Sequence, residues 1–193
     1  PLADDVIIYP AHGPGSACGK SLGSETVSTI GVQKLTNYAL QQSSKEEFIQ
    51  KVNEGLDEAP RYFQVNARIN KEGYASLEDV IEKGTQPIAV ADFKQKLKSD
   101  SVIGLDTRNS AIFRQGFVPN TISIGLDGRF AEWAGSLLSF TTPLVLVCEP
   151  GMETETVIRL ARVGFERIEG VLAGCFQAWQ NAGETVDLII DVE

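Results

Sequence analysis

The chain has 193 residues, 42% of them hydrophobic, and a formal net charge of -9. That length admits one or two domains, and the apolar share suffices for a packed core. The acidic balance disfavours nucleic acid and anionic membrane as partners, and no apolar run approaches the roughly 20 residues of a membrane span.

Three widely spaced cysteines, an odd number, fit a reducing, cytoplasmic setting better than a disulfide framework. No stretch reads as a signal peptide. The sole methionine is Met152 and the chain opens on Pro1, so the sequence reads as a segment of a longer protein.

In chain order, residues 4–10 predict a strand closed by Pro10. A loop rich in glycine and proline follows, holding His12 and Cys18. Residues 24–41 predict a helix with Val27, Ile30, Leu35 and Tyr38 inward. Ser44 and Glu47 have capping-box spacing for a second helix through Leu56, with Phe48, Val52 and Leu56 on one face. Pro60 opens a third, short helix carrying Tyr62, Phe63 and Val65. Residues 71–85 are polar, hold Gly73 and Gly84, and read as a linker ended by Pro87.

Beyond the linker the pattern alternates. Helices are predicted over 90–97, 130–137, 155–163 and 174–181, and strands over 102–105, 121–124, 144–147 and 167–169, with a loop at 113–119. Such alternation implies an α/β fold, a parallel sheet with helices on both faces. Ligands in such sheets bind at the carboxyl ends of the strands. Cys148 falls there, after the β-branched run 144–147 and before a helix, where backbone N–H groups and the positive helix end converge.

The stretch Cys148-Glu149-Pro150-Gly151-Met152-Glu153-Thr154 resembles the active-site loop of the rhodanese (sulfurtransferase) family, C-x-x-G-x-R/T-S. Its cysteine, glycine and final hydroxyl match, whereas Glu149 and Glu153 stand where active members often have cationic or neutral polar residues. Three further stretches are similar to rhodanese motifs, in the right order: Leu105-Asp106-Thr107-Arg108, residues 116–122 and residues 170–179. The resemblance covers about residues 86–187. It implies that Cys148 is the persulfide-forming nucleophile. Gly151, Met152, Glu153, Thr154 and Arg108 would be its substrate-binding rim, and small sulfur donors and thiols its partners. Nearby carboxylates, Glu155 included, raise a thiol's pKa, so the loop predicts weak or degenerate transferase activity. Asp106 and Arg108 read as a structural pair shaping the rim, and Cys175 and the two tryptophans as packing residues.

Residues 9–13, Tyr-Pro-Ala-His-Gly, resemble a late loop of the metallo-β-lactamase fold in its persulfide dioxygenase and hydroxyacylglutathione hydrolase branch. That likeness implies that His12 is an ancestral metal-site residue, with Cys18 a candidate sulfur relay. The remaining ligands would lie in an upstream domain holding iron or zinc, since a chain with one histidine cannot assemble that site. The fold expected is a rhodanese-like parallel sheet preceded by a mostly helical remnant of a metallo-β-lactamase domain. The divisions expected are a remnant over 1–70, a linker over 71–85 and a rhodanese-like domain over 86–193. No cofactor is expected in this segment, and its partner is the upstream domain or a second copy in a homodimer. Residues 14–21 nearly spell a phosphate loop, but Pro14 replaces the first glycine.

Overall fold

The computed structural model describes residues 2–9, 25–55, 60–99 and 101–190. It divides into two compact units, Pro1–Glu58 and Ala59–Glu193. His12, Cys18 and the near-phosphate loop 14–21 lie outside the described residues.

The first unit joins a two-stranded antiparallel ribbon to short helices. Strand β1 (Ile7–Ile8) pairs with β2 (Ser28–Thr29), Ile7 opposite Thr29 and Ile8 opposite Ser28. The strand expected at 4–10 therefore has a partner within this chain. The helix expected over 24–41 is split, because Ser28 and Thr29 join the ribbon. It begins only at α1 (Ile30–Thr36) and is followed by a 3₁₀ turn, Tyr38–Gln41. Thr29 caps α1 by accepting from the Val32 N–H at 3.2 Å. The expected inward face fails at two positions: Val27 and Leu35 are exposed. Helix α2 (Lys45–Asn53) starts where Ser44 accepts from the Glu47 N–H at 3.1 Å. The Glu47 carboxylate turns back to the Ser43 N–H and hydroxyl, one residue before the expected box.

The second unit begins with α3 (Arg61–Glu72), whose half-buried stripe Tyr62, Val65, Asn66, Ile69 repeats at helical spacing. Tyr62 lies against Gly135, and Val65 and Ile69 against Gly164. These contacts place α3 within the second compact unit, Ala59–Glu193. The expected linker holds α4 (Leu77–Gly84), capped by Ser76 and buried at Val80 and Gly84. Gly84 is a packing position: a Cβ there would sit 3.0 Å from both methyls of Val157.

Five parallel strands form the sheet: β3 (Pro87–Ile88), β4 (Ile103–Asp106), β5 (Thr121–Ser123), β6 (Leu144–Val147) and β7 (Ile168–Leu172), in the spatial order β3-β7-β6-β4-β5. The fold is thus the expected α/β architecture. Alternation along β6 divides the core. Leu144, Leu146 and Cys148 join the cluster that includes Val80, Phe130, Val157 and Leu160. It involves α4, α7 (Phe130–Leu137) and α8 (Glu153–Ala161). Val145 and Val147 join Phe93 and Trp179, from α5 (Val90–Leu97) and α9 (Cys175–Asn181). Helices thus cover both faces of the sheet. Helix α6 (Ser110–Gln115) occupies part of the expected loop at 113–119, because Asn109 caps it through the Ala111 N–H at 2.9 Å.

Candidate functional site at the head of the central strands

The carboxyl ends of β4 and β6 carry the candidate site. Thr107 continues from β4, and its N–H donates to Val147 O at 2.8 Å. After Cys148 the chain makes a type II turn. The Met152 N–H donates to Glu149 O at 3.1 Å, and Gly151 takes φ +83°, which Pro150-Gly151 suits. Helix α8 then begins at Glu153 with Met152 as N-cap and no side-chain cap bond, so its first-turn amides lack helix acceptors.

The thiol faces inward. Cys148 is 2% exposed and belongs to the core cluster, on the same side of β6 as Leu144 and Leu146. Its Sγ–H donates to Thr156 Oγ1 at 3.7 Å, and the Thr156 hydroxyl donates to Met152 O at 2.8 Å. Burial pushes the Cys148 thiol up to about 11. The Thr107 and Thr156 hydroxyls pull it down, and the Glu153 carboxylate adds to the rise. The expected rise is present, but the nearby carboxylates are not its main cause. Desolvation leads, and the Glu149 carboxylate is turned away to accept from the Asn109 N–H at 3.1 Å. The thiol is thus sealed, not standing open among amides.

Of the rim residues, Gly151, Met152 and Thr154 are exposed and Glu153 is half-buried. Arg108 is committed elsewhere. Its guanidinium grips Asp106 at 2.6–3.0 Å, donates to Gly116 O at 2.9 Å and lies 4.0 Å over the Phe176 ring. With Arg108 4% and Asp106 0% exposed, the pair braces the loops. Its Nε and Nη2 donors are thus taken up by Asp106 and Gly116.

Three residues at this site carry roles that motif reading missed. Thr107 and Thr156 hold the thiol from two elements, and neither stands out in one sequence. Cys175 is half-buried, and its Sγ–H donates to Glu153 Oε1 at 3.8 Å. Burial and the Glu153 charge raise its pKa, against the Arg108 charge. Trp179 is core, donating from Nε1 to Thr185 O at 2.8 Å, whereas Trp133 is exposed.

Among the described residues no group of three or more His, Cys, Asp or Glu side chains could hold a metal ion. None of the described helices is long and apolar enough to cross a membrane. A cavity of about 420 Å³ lined by Asn66, Tyr74, Arg162 and Glu166 lies toward the amino ends of the strands, away from the thiol.

Residues 89–182 match the family model described as "Rhodanese-like domain". The second unit therefore carries a rhodanese-like domain. Among solved structures, a metallo-beta-lactamase from Staphylococcus aureus is similar at 26% identity with a TM-score of 0.59, over 89% of this chain and 46% of that one. The chain thus spans about half the length of that protein. A thiosulfate sulfurtransferase from Pseudomonas aeruginosa aligns at 16% identity and a TM-score of 0.47, over 58% of this chain and 22% of that one. A single-domain sulfurtransferase from Saccharomyces cerevisiae aligns at 15% identity and 0.43, over 57% and 95%. No curated protein matches the sequence.

Proposed function

We propose that the rhodanese-like domain handles persulfide sulfur in sulfide metabolism, in the cytoplasm, as a weak sulfurtransferase. Its parent would be a fusion with a metallo-β-lactamase-fold persulfide dioxygenase. The likeness to the Staphylococcus aureus protein extends over most of this chain, and that extent supports the fusion. The metal of the upstream half would be iron or zinc. The described residues offer no ligand set for it.

One observation carries the sulfur chemistry: a thiol at the head of the central strand, followed by a type II turn into the amino end of α8. In that chemistry Cys148 Sγ attacks the outer sulfur of a persulfide or of thiosulfate. The donor's S–S bond breaks, the donor leaves as a thiol or sulfite, and the enzyme persulfide passes its outer sulfur to an acceptor. Amides from Gly151 to Glu155 would hold the anion. Glu153 opposes it, and a thiol near 11 offers little thiolate at neutral pH.

That burial also favours a second reading: an inactive rhodanese scaffold that docks on the upstream domain or mediates dimerisation. The exposed pair Trp133 and Leu137, one turn apart on α7, offers such a surface. Incubation with thiosulfate and cyanide, and with glutathione persulfide, separates the two. Thiocyanate and an adduct of about 32 Da on the domain support the transferase. Neither product, together with self-association lost in a Trp133→Ser chain, supports the scaffold.

A further inference from the structure

Two thiols converge on one turn of α8. Cys148 arrives from β6 and donates to Thr156, while Cys175 arrives from β7 through Gly174 and donates to Glu153. Glu153 and Thr156 are three residues apart in one helix, so their side chains are neighbours on one face, with Cβ atoms about 5–6 Å apart. The backbone at Cys175 is also unusual. Its φ is +56°, left-handed for a residue with a Cβ, and Gly174 before it is at +70°. The charge of Cys175 is also among those acting on Cys148. The two thiols differ in access: Cys148 is sealed, whereas Cys175 is half-buried at the rim.

We infer that Cys148 and Cys175 are a working dithiol, in which the rim thiol takes up sulfane sulfur and the sealed thiol resolves it as a disulfide. This rests on the proposal that the cradle handles persulfide sulfur, and it assigns the uptake step to the accessible Cys175 in place of the attack by Cys148 described there. In the first step Cys175 Sγ bonds to the outer sulfur of a small persulfide. The donor's S–S bond breaks, and the donor leaves as a thiol carrying the proton that Cys175 gave up. Cys148 Sγ then attacks Cys175 Sγ. The bond from Cys175 Sγ to the outer sulfur breaks, and that sulfur departs as hydrogen sulfide with the proton of Cys148. The electron pair lost by the two thiols reduces the sulfane sulfur to sulfide, so no further oxidant is needed.

The test uses the 193-residue chain with Cys18→Ser, so that only this pair remains, treated with glutathione persulfide. Expected are an intact mass lower by about 2 Da, a 148–175 linked peptide and about one hydrogen sulfide per chain. Cys148→Ala should stop at a persulfide on Cys175, a gain of about 32 Da, and Cys175→Ala should leave Cys148 unmodified. Diamide, which oxidises dithiols without donating sulfur, is the second arm. Added sulfur on either cysteine with no linked peptide from either reagent overturns the dithiol and leaves the sulfur-handling reading standing. A linked peptide with diamide alone, and no sulfur taken from the persulfide, overturns the sulfur-handling reading and this step with it.

Discussion

The two units differ in what holds them. In Pro1–Glu58 no described residue is buried, and Leu2, Ile7, Tyr9, Leu35 and Leu40 are more than half exposed. In Ala59–Glu193, Phe93, Phe130, Leu105, Leu144 and Leu146 are fully buried on two faces of one sheet. Yet both units form capped helices: Thr29 and Ser44 in the first, Ser76 and Asn109 in the second. Caps therefore start helices, while burial of apolar area supplies most of the stability. Among its described residues the first unit shows local order without a buried core.

Paired substitutions put numbers on that difference. Phe130→Ala should cost about 3–5 kcal/mol by opening a cavity at a fully buried site, whereas Leu35→Ala should change stability by about 0.5 kcal/mol or less. Denaturant melts followed by far-ultraviolet circular dichroism, which reads the helices of both units, measure both, and equal losses would break the comparison. Next come the ion pairs. Asp106→Ala strands a buried guanidinium and should cost about 3 kcal/mol. Removing Lys34, whose bridge to Asp4 is largely exposed, should cost under about 1 kcal/mol.

The pH response sharpens the contrast. Between about 9 and about 11 the unfolded chain loses the Cys148 proton and the folded chain keeps it. The contribution of Cys148 is thus fully present below about 9 and falls away as pH rises toward about 11, by up to about 1.4 kcal/mol per pH unit. Urea midpoints across that range should decline less steeply in a Cys148→Ala chain. The smallest effect belongs to the first unit: Ser44→Ala should remove about 1 kcal/mol from α2 alone, read as faster amide exchange over residues 45–53 with the sheet unaffected.

The sheet domain was legible where a pattern was long or dense. The β-branched run of β6 and the helices α5 and α7 sit at their expected bounds. Strand β3, two residues beginning at a proline, carried too short a signal, and β2 hid inside a helical period. Helix α4 is hidden in the expected linker because Gly73 and Gly84 read as breakers along one sequence. A Cβ at Gly84 would sit 3.0 Å from the Val157 methyls and 3.3 Å from Ile168 Cβ, so the glycine serves close packing there rather than a break. The site shows the same limit. The strand-then-turn pattern located Cys148, and counting alternate residues from Leu144 would have placed its thiol on the core side. The grip of Thr107 and Thr156, and the reach of Cys175 to Glu153, are contacts between elements. No spacing along one chain encodes them.

The burial of Cys148 is the claim on which the weak-transferase reading and the dithiol both stand. Alkylation of the native chain by iodoacetamide, followed residue by residue by peptide mass as pH is raised, measures it directly. The structure predicts that Cys148 stays unlabelled near neutral pH and titrates with a midpoint of about 11, while the rim thiol Cys175 labels first. A Cys148 midpoint at or below the ordinary thiol value of about 8.5, with labelling as fast as at Cys175, would contradict it.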